Sequence, residues 1–93
     1  MSVTVRIPGP LRRITDGADK IEVEAQTLEE LIVALEAQYP GMKDRILDEN
    51  GAVRYFVNLY LNNEDVRFLE GLSTPVKAGD EVSIVPAVAG GSA

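Results

Sequence analysis

The residues of this chain best suited to chemistry are two consecutive glycines, Gly90 and Gly91, close to the end of the sequence. Because glycine has no Cβ, two in succession let a backbone lie in a channel too narrow for side chains. The same lack of side chains lets a backbone carbonyl come close to a reagent. We therefore predict that a partner enzyme threads this part of the chain into its active site.

The segment around the glycines is built from small residues. Ala87, Val88 and Ala89 precede the diglycine, and we expect them to pass into the partner together with Gly90. Val88 lies past the last predicted strand, where it has little core to enter, so we expect its side chain to dock on the partner. We accordingly divide the chain into a domain over residues 1–86 and a flexible tail over residues 87–93.

Two residue types that usually carry chemistry are missing from the sequence. Without cysteine there is no disulfide, no thiolate metal site and no thiol nucleophile, and without histidine the usual general base is absent. The adjacent carboxylates at residues 48–49 and 64–65 point apart in a strand or stay solvated in a turn. The glycine-rich stretch has no following helix that would cradle a phosphate. We predict no catalytic residue, no metal site and no bound cofactor.

The net charge of −6 and the pI near 4.5 disfavour nucleic acid and anionic membranes as partners, because phosphate repels an acidic surface. The charge either steers the chain toward basic protein surfaces or only keeps it soluble. The amino-terminal residues lack a basic region followed by a continuous apolar run, and no segment has the length of a membrane span. We expect a cytoplasmic protein that is a monomer when free.

Alternating apolar and polar residues predict the first two strands, over residues 3–7 and 21–24. Proline and glycine residues end the first strand, and a polar turn precedes the second, so the two are expected to form an antiparallel hairpin with a long connection. Leu11 and Ile14 are expected to tuck beneath that connection.

A helix is predicted to begin after Thr27, whose hydroxyl caps it, with Glu30 completing a capping box. One apolar stripe with helical spacing marks its buried face: Leu28, Leu31, Ile32 and Leu35. Residues 39–41, Tyr-Pro-Gly, end the helix. A short second helical turn is expected over residues 42–47.

Three further strands complete the predicted order. Residues 55–61 are rich in aromatic and branched side chains, which is typical of a central strand. After a turn at residues 62–63, residues 66–68 are predicted as a short edge strand and residues 81–85 as the last strand. One amphipathic helix flanked by hairpins must be covered by one sheet face. The predicted fold class is α+β, a β-grasp in which a mixed sheet wraps around one main helix.

Three stretches of this sequence, residues 56–68, 78–82 and 86–91, resemble the ubiquitin-like sulfur carriers of the MoaD and ThiS type, and most closely the CysO-type carriers. The resemblance covers nearly the whole domain. It implies that an E1-like enzyme uses ATP to adenylate a terminal glycine carboxyl, and that sulfur then displaces AMP to leave a thiocarboxylate. The matching position is Gly91. ATP would bind the activating enzyme, and this chain would be a protein cosubstrate.

The last two residues, Ser92 and Ala93, depart from the family pattern. The resemblance implies that these two residues are either trimmed by a protease or make the chain a dead end. Some family members carry a short extension that a zinc-dependent JAMM-type metalloprotease removes, and we predict that the bond cleaved here is Gly91–Ser92. The alternative is that the two residues come from an expression vector.

Several alternatives remain open at this point. The sulfur acceptor can be a cysteine synthase, a thiosugar synthase or a thiazole-synthase-like enzyme. The chain can instead be a ubiquitin-like modifier joined through Gly91 to lysines, or the small subunit of a molybdopterin synthase. Val66 and Phe68 are candidates for a partner interface, although such side chains on a strand are more often core. Asp65 and Arg67 are expected to form a surface ion pair without a catalytic role.

Overall fold

The computed structural model describes residues 2–86, and in it five strands form one mixed sheet in the order β2-β1-β5-β3-β4. The pairing of β1 with β5 is parallel, and the other three pairings are antiparallel. The strands are β1 (Val3–Arg6), β2 (Lys20–Val23), β3 (Val57–Leu61), β4 (Glu64–Asp65) and β5 (Glu81–Pro86). The helices are α1 (Leu28–Gln38) and α2 (Met42–Ile46), with single 3-10 turns at Gly9–Leu11, Val66–Phe68 and Gly71–Ser73.

Helix α1 lies against one face of this sheet through the stripe that its sequence predicts. Leu28, Leu31, Ile32 and Leu35 are all buried, and they share one core with the inward-facing residues of β1, β3 and β5. Apolar residues at i, i+3, i+4 and i+7 lie on one side of a helix, which is why one sheet face covers all four. The predicted β-grasp architecture is confirmed.

The start of α1 is capped as the sequence predicts, with one difference. Thr27 Oγ1 accepts a hydrogen bond from the Glu30 N–H at 3.2 Å. The Glu30 carboxylate, however, accepts from the N–H of Gln26 at 3.0 Å, one residue before the cap, whereas a standard capping box returns to the cap residue itself. The first bond satisfies an N–H group in the first turn that has no partner within the helix, and the second holds the chain that enters the helix.

The link between the two helices turns on Gly41, whose φ of 103° is in the left-handed region. The Glu36 carboxylate holds this link by accepting from the N–H groups of Gly41 at 3.2 Å and Lys43 at 2.9 Å. Met42 and Ile46 are buried, so the predicted second helical turn is confirmed.

The predicted edge strand over residues 66–68 is wrong. The edge strand is Glu64–Asp65, because Asn62 and Asn63 both have positive φ and form a two-residue hairpin turn, after which the chain pairs at once. Val66–Phe68 is a 3-10 turn because Asp65 Oδ1 accepts from the Arg67 N–H at 2.8 Å and bends the chain.

Candidate functional site

The last described strand, β5, leads directly to the diglycine segment, and its two ends are held differently. At its beginning, the N–H of Thr4 donates to the carbonyl of Asp80 at 3.0 Å, and the N–H of Asn62 donates to the carbonyl of Glu81 at 2.8 Å. Both neighbouring strands therefore hold this end of β5. Asn62 Oδ1 accepts a further bond from the Glu81 N–H at 2.9 Å.

Strand β1 leaves β5 partway along. The last parallel pair is Arg6 with Ser83. Continuing that register would bring Pro8 opposite Val85, but proline has no N–H to donate, and Pro8 instead begins the 3-10 turn at Gly9–Leu11. Among residues 2–86, the last three residues of β5 consequently pair with β3 alone.

Strand β3 begins at Val57, and because β3 and β5 are antiparallel, Val57 lies opposite Pro86, the last residue of β5. The Val57 N–H donates to the carbonyl of Arg54 at 2.9 Å, and this closed turn directs residues 54–56 away from the ladder. Pro86 is suited to a strand end because it cannot donate a ladder hydrogen bond. Within residues 2–86 the last β3–β5 pair is Val57 with Pro86, and Pro86 immediately precedes the segment that the sequence assigns to the partner.

An exposed aromatic group lies beside this strand end. Arg54, Tyr55 and Phe56, which we call the aromatic corner, immediately precede Val57. The Tyr55 side chain is 91% exposed and that of Phe56 is 37% exposed. Their rings meet edge to face with centroids 5.2 Å apart, and the Arg54 guanidinium lies 6.0 Å from the Phe56 ring centroid. The Arg54 Nε group also donates to the carbonyl of Asp44 at 2.8 Å, which fixes the guanidinium stem.

Val85 adds an apolar side chain to the open face of the sheet. It is 41% exposed, whereas its neighbour Ile84 is buried against α1. In β5 the residues alternate between the two faces, so the burial of Val82 and Ile84 requires Val85 to point outward. The sequence analysis did not identify Val85 as an exposed apolar residue, although the alternation of residues in that strand indicates it.

The two interface candidates have different surroundings. Val66 is only 2% exposed and belongs to the core, which removes it from an exposed recognition surface. Phe68 is 82% exposed at the end of the 3-10 turn, and a partner role for it stays a prediction. The turn that carries Phe68 is anchored by the buried Val66 side chain on one side and by the Asp65 cap on the other.

Asp65 and Arg67 form the ion pair that the sequence predicts. Arg67 Nη2 donates to Asp65 Oδ2 at 2.8 Å. The Arg67 side-chain hydrogen bond, followed by the Arg67 backbone N–H, lowers the pKa of Asp65 below its ordinary value. The same side-chain bond raises the pKa of Arg67. The pair bridges two residues of the turn that carries Phe68.

A shallow cleft of about 490 Å³ lies at the opposite end of β5, near the start of α1. Its lining combines the apolar residues Val3, Ala25 and Val76 with the charged residues Glu24, Glu30 and Lys77. The lining residues come from the surroundings of the first end of β5, and Pro86 is not among them. Across the described residues, no cluster of histidine, cysteine, aspartate or glutamate is placed to hold a metal ion. None of the helices within 2–86 combines the length and apolar character that crossing a bilayer needs.

The remaining predicted site residues lie outside the described residues. These are the residues predicted to enter the partner, Ala87, Val88, Ala89 and Gly90, and those predicted to react or be cleaved, Gly91 and Ser92. The structure describes β5, the strand that immediately precedes these residues.

The family model of the ThiS family matches residues 5–91 of this chain. The chain therefore belongs to the ThiS family. It is 47% identical over 93 residues to the sulfur carrier protein CysO of Mycobacterium tuberculosis, an alignment that covers 98% of this chain and all of that protein.

Two further relatives extend the comparison. A chain in the crystal structure of the Amycolatopsis orientalis BexX/CysO complex superposes with a TM-score of 0.90 at 45% identity, covering 96% of this chain and 99% of that one. The small archaeal modifier protein 3 of Haloferax volcanii is 40% identical over 65 residues, 70% of each chain. The resemblance to CysO-type carriers is confirmed.

Proposed function

We propose that this chain is a sulfur carrier whose reacting group is the backbone carboxyl of Gly91. The observation that carries the proposal is the ThiS family match, which runs through the domain and ends at the second glycine, residue 91. The similarity to the sulfur carrier protein CysO along the full chain supports the same role. The chain would then be a protein cosubstrate, and the catalytic groups would belong to the enzymes that take it up.

The proposed chemistry has two steps. A carboxylate oxygen of Gly91 attacks the α-phosphorus of ATP, and pyrophosphate leaves. The sulfur of a sulfide donor then attacks the acyl carbon, and AMP leaves with the bridging oxygen, so the chain ends in a thiocarboxylate. ATP is held by the E1-like adenylating and sulfurtransferase enzyme in this proposal, and this chain binds no cofactor of its own.

Activation requires that Gly91 be the terminal residue. In the given sequence Ser92 and Ala93 follow it, so a carboxyl at the end of this sequence belongs to Ala93. We assign the removal of these two residues to a JAMM-type metalloprotease that cleaves the Gly91–Ser92 bond. Small side chains on both sides of the bond suit a narrow protease channel.

The described fold supports delivery of the tail. Strand β5 is paired on both sides where it begins and on one side where it ends, and its last pair is Val57 with Pro86. An enzyme can therefore approach the chain after Pro86 without breaking a described strand pair. We accordingly treat residues 1–86 as the β-grasp domain and residues 87–93 as the tail that enters partners.

The partners in this proposal are proteins of the cytoplasm. The activating enzyme and the protease act on the tail, and the thiocarboxylate then gives sulfur to a cysteine synthase, a thiosugar synthase or a thiazole-synthase-like enzyme. The A. orientalis BexX/CysO complex, in which a relative is associated with another protein, supports a partner of this kind. The acidic surface, with a net charge of −6, suits a partner with a basic docking surface.

A second candidate function is a protein modifier joined to lysines. The similarity to the small archaeal modifier protein 3 of H. volcanii favours it. The two functions share the adenylate of Gly91 and differ in the nucleophile that follows, which is sulfide in one case and a lysine amine in the other.

Intact-protein mass spectrometry separates these functions. The chain is incubated with ATP, a sulfide source, its host's activating enzyme and host extract. A sulfur carrier loses Ser92 and Ala93 and then gains about 16 Da as one oxygen is exchanged for sulfur. Covalent adducts on lysines without that gain would support the modifier, and a chain that does not change would contradict both.

A further inference from the structure

The aromatic corner adjoins the point at which the tail begins. Phe56 is bonded to Val57, and Val57 pairs with Pro86, the residue before Ala87. Tyr55 and Phe56 are therefore the exposed aromatic side chains next to the end of the β3–β5 ladder. Nothing in the packing of the domain requires the Tyr55 ring, since it is 91% exposed.

The three residues of the corner also contact one another. The Tyr55 and Phe56 rings contact each other nearly perpendicularly, at 85°, and the Arg54 guanidinium lies over the second ring. The Arg54 backbone is held by its N–H bond to the carbonyl of Ile46 at 2.9 Å, and its side chain by the bond to Asp44. Tyrosine offers a large contact area with only two side-chain torsions to fix on binding, and such residues often dominate interface energies.

The length of the tail limits how far a partner can stay from the corner. Five residues, 87–91, connect Pro86 to the reacting carboxyl. At about 3.3 Å per residue, even a fully extended segment spans only about 17 Å. An enzyme that forms an acyl-adenylate must also exclude water from it, because the mixed anhydride hydrolyses. Enclosing Gly91 that deeply brings the body of the enzyme onto the residues around Pro86.

We propose that the aromatic corner is the docking site of the adenylating enzyme, and that an apolar pocket on this enzyme receives the Tyr55 ring. The inference rests on the proposed function, since it requires that Gly91 be adenylated. A protease that trims residues 92–93 must admit water to the bond that it cleaves, whereas the adenylating enzyme must keep water out, so we assign the corner to the adenylating enzyme.

The test compares Tyr55→Ser with the matched variant Val33→Ser. Val33 is also an exposed apolar residue, at 54%. It lies on helix α1 and not in the segment that precedes the β3–β5 ladder. Each full chain is trimmed in host extract and repurified, and adenylate formation is then measured against carrier concentration. Tyr55→Ser is expected to raise the KM about tenfold with little change in kcat, because docking contacts that are equal in the ground state and the transition state affect KM. Val33→Ser is expected to match the wild type.

Three other outcomes would contradict the inference. An unchanged KM for Tyr55→Ser, with an active wild-type chain, would contradict the docking site and leave the proposed function standing. A wild-type chain that forms no adenylate would contradict both. If trimming slows in Tyr55→Ser while adenylation does not, the corner serves the protease instead.

Two further measurements secure the interpretation. Urea unfolding of Tyr55→Ser is expected to give the wild-type midpoint, since the ring makes no core contact. Phe68→Ser provides a second exposed aromatic for comparison, at 82% exposure. If Phe68→Ser raises the KM and Tyr55→Ser does not, the enzyme docks on the β4 edge and the assignment to the corner is wrong.

Discussion

The two ends of β5 contrast in how the fold holds them. At the first end, Glu81 exchanges hydrogen bonds with Asn62, whose side chain also donates to Asp80 at 3.1 Å, and Asp80 in turn accepts from the Lys77 N–H at 3.0 Å. At the second end, the one residue within 2–86 that pairs with Pro86 is Val57. Among the described residues, the beginning of this strand is thus paired on both sides and its end on one side.

This contrast separates stability from function along a single strand. Substitutions at the first end and in the core are expected to change the free energy of unfolding. Substitutions at the second end, and in the tail beyond it, are expected to change how the chain is taken up by enzymes. Each of the following experiments tests one side of that separation.

The largest expected effect is the loss of activation in Gly91→Val. A branched side chain at residue 91 would clash with the narrow channel of the adenylating enzyme, which glycine can enter because it has no side chain. Adenylation should therefore be abolished. The free energy of unfolding should stay at the wild-type value, because residue 91 lies five positions beyond the last strand pair. Adenylate formation and urea unfolding check the two parts, and full activation of the variant would refute the assignment of Gly91.

The next effect is a difference in stability between Val82→Ala and Val85→Ala. Val82 is fully buried in the core, whereas Val85 is 41% exposed on the open face. Removing the two methyl groups of Val82 should cost about 2 kcal/mol, and the same change at Val85 less than about 0.5 kcal/mol. Urea denaturation measures both. Equal losses would show that the inward and outward faces of β5 do not differ in packing.

A smaller effect is expected when the hairpin turn is changed by Asn62→Gly and Asn63→Gly. Both positions have positive φ, 51° and 75°, so glycine is compatible with either backbone. Only the Asn62 side chain bonds to Asp80 and Glu81. Asn62→Gly should therefore cost about 1–2 kcal/mol of unfolding free energy and Asn63→Gly a few tenths. If the two variants are equally stable, the side-chain bonds at the held end contribute nothing.

The smallest effect concerns the ion pair at the β4 edge. The pKa of Asp65 is lowered in the folded chain, so its contribution to stability is present above the pKa of about 3.9 in the unfolded chain. It is lost as pH falls through the folded pKa. Asp65→Asn keeps an oxygen that can accept from the Arg67 N–H but removes the charge, so the stability advantage of the wild type should be larger at pH 7 than at pH 3. Urea unfolding at pH 7 and pH 3 tests this, and a stability difference independent of pH would exclude the charge as its cause.

The core elements could be predicted from the sequence because their signals are local. The stripe from Leu28 to Leu35 has the helical period, Thr27 is a standard cap, and β1 and β2 alternate cleanly. The edge strand was placed wrongly because apolar residues at Val66 and Phe68 have the strand period. What decided the backbone there was the Asp65 side chain, which caps the Arg67 N–H and turns the chain.

The candidate site could be predicted only in part. The diglycine and its neighbours were visible as residue types, and the family resemblance supplied their chemistry. Tyr55 and Phe56 were predicted to lie in a strand over residues 55–61, and this strand instead begins at Val57. Because successive side chains of a strand point to opposite faces, two consecutive large aromatics cannot both lie on one side of it. This was the signal in the sequence that Tyr55 and Phe56 are not both packed as strand residues. Its position beside Pro86 depends on long-range pairing, which no local pattern contains.

The central claim is that sulfur is carried on the carboxyl of Gly91, and tandem mass spectrometry of the activated chain tests it most directly. A gain of about 16 Da alone is ambiguous, because oxidation of a methionine, Met1 or Met42, adds nearly the same mass. Fragmentation locates the change. We expect it on a peptide that ends at Gly91, and only after incubation with ATP, sulfide and the activating enzyme. A gain located on a methionine, or a terminal peptide that still ends at Ala93 without sulfur, would contradict the claim.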